Sequence, residues 1–232
     1  MKIKICGMRE PANIAAVAAA EPDFLGFIFY EKSARFVGGA LRPEDVVSLP
    51  DSIRRVGVFV NATPAFITST AAQFALTHAQ LHGDETPAAC AQIRASGLQV
   101  MKAFAVNEGF DFGQLSVYEP VCDYFLFDTK GALPGGNGYA FDWEILRAYA
   151  GIAPFFLSGG LGPKNLADLQ QFQHPLLCGY DFNSALEIAP GCKNVAATRE
   201  LITSVRTLAT QEVTAEVGSA PFGSRGLAAQ VR

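Results

Sequence analysis

The chain has 232 residues, long for an average domain yet ordinary for a single α/β barrel. Half of the residues are apolar and 17% are charged, and 18 basic against 22 acidic side chains leave a net charge of −4. This balance excludes a disordered chain, and it lacks the clustered basic excess with which a nucleic-acid surface displaces counterions. Apolar, β-branched and aromatic runs then recur along the chain. They predict strands at Ile3–Cys6, Phe24–Phe29, Arg55–Val60, Ala79–His82, Gln99–Val106, Tyr124–Asp128, Phe155–Ser158 and Leu177–Asp181. Between them, Pro11–Ala20, Pro64–Leu76, Thr86–Ala95 and Lys164–Phe172 predict helices, several with Pro in the first turn, where its missing donor is tolerated.

Runs such as Phe24–Phe29 and Tyr124–Phe127 are continuously apolar, as strands buried on both faces must be. Eight strand–helix repeats in this length fit a closed parallel (β/α)8 TIM barrel, with an open doubly wound sheet as the alternative. Two segments break the rhythm. Thr129–Ala140 is Gly-rich and longer than most strand-to-helix connections, and the stretch from about Thr210 is rich in Ala, Gly and Ser. The expected layout is a catalytic barrel over 1–208 and a loosely ordered tail over 209–232. No apolar stretch reaches the roughly 20 residues of a membrane span. Five scattered cysteines form no Cys-x-x-Cys pair, and Met1–Cys6 does not read as a secretory leader, so a reducing cytoplasm is the expected location.

In a barrel, reactive groups belong at the C-terminal ends of strands and in the loops that follow. Cys6 closes the first strand. It is either a buried thiol or, facing a polar mouth, a base or nucleophile. Asp128 closes a strand behind four apolar residues. It either pairs with nearby Lys130 or is a carboxylic acid held neutral by its surroundings and able to donate a proton. Two proton-transfer groups across one cavity suit an isomerase. Ser158-Gly159-Gly160-Leu161 after the seventh strand and Asp181-Phe182-Asn183-Ser184 after the eighth stand where barrels hold phosphate, on backbone N–H groups and a helix start. Arg35 is either a solvated charge or a clamp for a substrate carboxylate. His82 ends the fourth strand as a pocket wall or a structural residue. No His/Asp/Glu set has metal-ligand spacing.

The segments Lys4–Arg9, Gly26–Tyr30 with Lys32-Ser33 and Arg35, Val56–Asn61, Gln80–Gly83, Phe127–Lys130, Gly135–Gly138 with Phe141–Trp143, and Leu157–Leu161 together resemble the phosphoribosylanthranilate isomerase family, in family order from Met1 to about Leu208. The resemblance implies a cofactor-independent enzyme of tryptophan biosynthesis. It would carry out an Amadori rearrangement of N-(5′-phosphoribosyl)anthranilate to 1-(2-carboxyphenylamino)-1-deoxyribulose 5-phosphate. It further implies Cys6 as general base, Asp128 as general acid, Arg35 on the anthranilate carboxylate, and Gly159, Gly160, Asp181, Asn183 and Ser184 around the phosphate, with His82 among the substrate contacts. The expected partner is a small phosphorylated substrate, with no nucleic acid and no membrane; a monomeric chain is expected, with an oligomer as the alternative. The glycines of Gly135–Gly138 fit a loop that closes over the substrate. One departure stands out: where relatives carry a Val-Asp-Val-Ser-Ser-Gly-like eighth strand, this chain reads Tyr180-Asp181-Phe182-Asn183-Ser184-Ala185. Asn there is a good helix N-cap. The rival readings are a phosphosugar isomerase of histidine synthesis, which resembles a two-Asp pair and is opposed by Cys6, and a non-catalytic phospholigand-binding barrel.

Overall fold

Eight strands close into a parallel barrel in the computed structural model, which describes residues 1–129 and 143–218. The strands are β1 (Lys2–Ile5), β2 (Phe24–Ile28), β3 (Arg54–Phe59), β4 (His78–Leu81), β5 (Gln99–Val106), β6 (Tyr124–Thr129), β7 (Phe155–Ser158) and β8 (Leu177–Phe182). Each pairs with the next, and β8 returns to β1 with Phe182 opposite Ile5, so the open-sheet alternative falls. Every strand lies within one residue of its predicted run.

The outer layer is less regular. Helices α1 (Pro11–Ala18), α2 (Pro43–Val47), α3 (Pro64–Phe74), α4 (Pro87–Ala95), α5 (Leu166–Gln171) and α6 (Val195–Gly218) alternate with the strands. Thr63 and Thr86 cap α3 and α4 by accepting from the N–H groups of Phe66 and Ala89, with Pro next in line. After β5 and β6, 3-10 turns at Phe112–Val117, Glu119–Val121 and Trp143–Ala148 stand in for helices. The expected boundary at residue 208 falls inside α6, whose backbone continues to Gly218. The rest of that tail, 219–232, lies outside the described residues, as does the Gly-rich loop from Lys130 onward, including Gly135–Gly138.

Side chains alternate across each strand, and the two faces meet different neighbours. Ile3, Ile5, Leu25, Phe27, Phe59, Leu81, Phe125, Phe127 and Phe155 join the core between barrel and helices. Phe24, Val56, Met101, Ala103, Leu126 and Phe156 fill the interior as a separate cluster. Phe24 meets Phe156 and His78 edge-on at 5.3 and 5.2 Å between ring centroids, and Tyr124 stacks on His78. This aromatic layer seals the bottom of the barrel, leaving the top for chemistry.

Candidate active site

Above that layer the inward positions turn polar. Eight of the nine site residues expected from the sequence line one cavity of about 200 Å³ at the C-terminal mouth: Cys6, His82, Asp128, Gly159, Gly160, Asp181, Asn183 and Ser184. The ninth, Arg35, is not among its lining residues but stands at the rim. A Cβ on Gly7 would lie 2.7 Å from Arg35 Cδ and 2.6 Å from Asn183 Oδ1, so the chain bends tightly past Cys6 between those two side chains. Gly7 itself has φ +72°, which a glycine adopts at no steric cost. Two larger hollows of about 500 Å³ lie elsewhere, one beside Tyr149 and His174 and one beside α1 and Pro50. Neither gathers strand-end side chains, so the smaller cavity is the stronger candidate.

One wall is built by β4 and β6. Gln80 and His82 are two apart, so both side chains point inward. Gln80 Nε2 donates to His82 Nδ1 at 3.0 Å, and His82 Nε2 lies 3.3 Å from Asp128 Oδ2. An amide NH2 only donates, so Nδ1 accepts and the ring proton sits on Nε2, aimed at Asp128. The partner proposed for Asp128 on sequence grounds, Lys130, lies outside the described residues.

The opposite wall comes from β1 and β8. Cys6 is buried, and burial pushes its thiol up from the ordinary value. Lys4 and Lys193 pull it back, while Asp181 pushes it further. Lys4, wholly buried, donates to Asp181 Oδ1 at 2.8 Å, and the other carboxylate oxygen lies 3.3 Å from Ser158 Oγ. Burial alone would lower the Lys4 ammonium, but Asp181 and Cys6 outweigh it and hold it above the usual range. Asp181, grouped with the phosphate contacts on sequence grounds, therefore has its carboxylate engaged by Lys4. An ionised carboxylate also repels a phosphate, which leaves the backbone of this segment for an anion.

The turns after β7 and β8 are sharply bent. Gly159 and Gly160 take φ +98° and +69°, left-handed values that let the backbone curl after β7. After β8, Ser184–Leu186 forms a 3-10 turn. Asn183 does not cap it as expected: its side-chain oxygen accepts from Lys193 Nζ at 2.7 Å. Lys193 belongs to a hairpin, β9 (Glu187–Ala189) with β10 (Cys192–Lys193), absent from the sequence expectation. Glu187 in that hairpin accepts from Arg35 Nε at 2.7 Å and Nη2 at 2.5 Å, and from Lys193 at 2.8 Å.

Residues 3–204 match the family model described as N-(5′phosphoribosyl)anthranilate (PRA) isomerase. The chain belongs to this family. The PRA isomerase of Phocaeicola vulgatus is 48% identical, over 89% of this chain and 98% of its own length. That of Parabacteroides distasonis is 43% identical over 88% and 93%. The crystal structure of phosphoribosyl anthranilate isomerase from Thermotoga maritima superposes with a TM-score of 0.77 at 32% identity, over 89% of this chain and 99% of that one. A further phosphoribosyl anthranilate isomerase structure, in complex with reduced 1-(o-carboxyphenylamino)-1-deoxyribulose 5-phosphate, gives 0.74 at 30%, over 89% and 99%.

Within this PRA isomerase barrel, sequence reasoning missed Lys4, Gln80, Glu187 and Lys193 as parts of the site. Lys4 and Gln80 each precede an expected site residue by two, the inward-facing spacing, and that signal was available. Glu187 and Lys193 reach the site only through a hairpin that no local pattern announces. Among the described residues, no cluster of three His, Cys, Asp or Glu could hold a metal ion, and no helix is long and apolar enough to cross a membrane.

Proposed function

We propose that this cavity isomerises N-(5′-phosphoribosyl)anthranilate to 1-(2-carboxyphenylamino)-1-deoxyribulose 5-phosphate, with Asp128 as general acid and Cys6 as general base. The observation that carries the reading is that Cys6, just after β1, and Asp128 on β6 line the same hollow, with β7 and β8 between them. Asp128 gives a proton to the ribose ring oxygen as the C1′–O bond breaks and nitrogen forms the iminium. Cys6 thiolate then takes the C2′ proton, and the electron pair moves to give the enolamine. Tautomerisation carries the O2′ proton to C1′ and yields the ketone. Exchange with water resets both side chains.

The phosphate would rest on the backbone of Gly159-Gly160 and Asn183-Ser184, where left-handed glycines and a 3-10 start leave room for an anion. Arg35 has five N–H donors and gives two to Glu187. We assign the remainder to the anthranilate carboxylate. His82 holds Asp128 through Nε2. The test is restoration of growth without tryptophan in a host lacking this isomerase, together with decay of the anthranilate-adduct fluorescence in purified C6A and D128N. General acid–base groups contribute about 10²- to 10⁴-fold, so each substitution should lower kcat by that order. Near-normal kcat in either variant removes that residue's role.

A further inference from the structure

Lys4 has no role in the reaction as written above, yet it is the most deeply placed charge beneath the cavity. It is fully buried, and it shares the barrel interior with the apolar cluster of Phe24, Val56, Leu126 and Phe156. A buried ion pair is weak evidence for stability, because well-packed apolar residues of similar volume often serve as well. What surrounds the ammonium points elsewhere. Cys6 follows β1 directly, its N–H still donating to Phe182 O at 2.8 Å, and lies two residues after Lys4, so both side chains enter the barrel on the same side. The strand facing them, β2, presents Gly26. A Cβ there would lie 2.8 Å from Cys6 Sγ and 3.2 Å from Lys4 Nζ, so sulfur and ammonium share one gap that only glycine leaves open. Lys4 donates to Asp181 Oδ1, which leaves two of the three N–H donors of its ammonium in the gap it shares with the Cys6 sulfur.

We propose that Lys4 is the positioning residue that holds the Cys6 sulfur as a thiolate while it takes the substrate proton, with Asp181 bracing the ammonium from behind. The inference rests on the reading of Cys6 as base, and it adds the source of that base's charge. Other charged groups also face Cys6. Asp181 comes from β8, Lys193 from the β9–β10 hairpin, and Arg35 from the loop after β2. Across the cavity stand His82 and Asp128. Lys4 exerts a stronger Coulomb pull on the sulfur than Lys193 does. Asp181 works in two ways: it orients Lys4, and its own charge opposes the thiolate. Removal of Lys4 and removal of the Asp181 charge therefore have opposite effects on Cys6. A purely structural ion pair has no such asymmetry.

The experiment measures iodoacetamide alkylation of Cys6 against pH, read on the Cys6 peptide by mass spectrometry so that Cys90, Cys122, Cys178 and Cys192 do not interfere. An opposite charge at this range moves a midpoint by about 1–3 pH units. K4M should raise the Cys6 midpoint by that amount, K4R should keep it near wild type, and D181N should lower it. If K4M fails to fold because Asp181 is left unpaired, K4M/D181N carries the test, since it buries no unpaired charge, and its midpoint should lie above that of D181N. Midpoints moving the same way in K4M and D181N, or a double variant matching D181N, overturn the proposal, even if activity falls. The isomerase reading fails separately, through an active C6A enzyme, which would leave an alkylation shift intact.

Discussion

Gln80 offers the sharpest test of how the acid wall is organised. Its Nε2 donates to His82 Nδ1, and this fixes the ring proton on the nitrogen that faces Asp128. Its Oε1 is buried without a hydrogen-bond partner among the described residues, and the residue lines the cavity. Q80L keeps most of the volume and removes both groups. Losing the donor frees the imidazole to turn or to place its proton on Nδ1, so Asp128 loses its Nε2–H partner in part of the population. A neutral hydrogen bond has a net value of about 0.5–1.5 kcal/mol, which converts to a roughly 2- to 13-fold fall in kcat/KM. Stability should behave differently. An unpartnered buried acceptor costs about 1–3 kcal/mol, so deleting Oε1 offsets the lost bond and the melting temperature should hold or rise. Fluorescence decay of the anthranilate adduct gives the first quantity and thermal unfolding the second. Unchanged kcat/KM would refute the relay from Gln80 through His82 to Asp128. A large drop in melting temperature would mean instead that Gln80 is structural.

Two further predictions concern acid stability, in adjoining pH windows. Burial at the bottom of the barrel lowers His78 from 6.5 to about 4, so the fold holds it neutral while the unfolded chain takes up a proton. Stability is therefore lost as pH falls from 6.5 through 4, by about 3 kcal/mol at 1.36 kcal/mol per unit. Urea titrations of H78Q should lack that loss, and a variant with the wild-type pH dependence would contradict it. Glu187 acts lower. Burial alone would raise its carboxyl, but hydrogen bonds from Arg35 and Lys193 hold it at about 2. Its contribution is present above the ordinary carboxylate range and disappears as pH falls toward 2. E187Q should be less stable at pH 7, where Arg35 and Lys193 lose their partner, and flatter below pH 4.5; an unaltered acid limb would count against this assignment.

The strands could be read from the sequence because strands buried on both faces leave continuous apolar runs, as in Phe24–Phe29 and Tyr124–Phe127. Strand ends then point to the chemistry, since only the last inward residues of each strand reach the mouth. Cys6, His82 and Asp128 were found in that way. The outer layer was harder. The short α2 and the 3-10 turns after β5 and β6 carry too few residues for a helical period to emerge. Asn183 shows a different limit. Its capping propensity is local, but an ammonium from Lys193 competes for the same oxygen and wins, and that residue arrives from a hairpin ten positions later. Arg35 and Glu187 are 152 residues apart, and only closure of the barrel makes them neighbours.

The charges on the two walls of the cavity bear on the proposed roles of Cys6 as base and Asp128 as acid. Around Cys6, Lys4, Lys193 and Arg35 stand against Asp181 and Glu187, three cations to two carboxylates, so that side has a positive surplus. These cations favour an anionic sulfur and offset part of the burial that pushes the thiol up. Around Asp128 the described partners are an imidazole N–H and, behind it, an amide. Exchanging the two residues, as C6D/D128C, would place a carboxylate on Lys4 and a thiol beside His82. The carboxylate would then pair with the ammonium in the manner of Asp181 and resist protonation. The thiol would lack a cation to ionise it. Both reagents would still line the cavity, yet kcat should fall by at least as much as in C6A. Substantial turnover by the exchanged enzyme would show that proximity alone, rather than the charge of each wall, decides the direction of proton transfer.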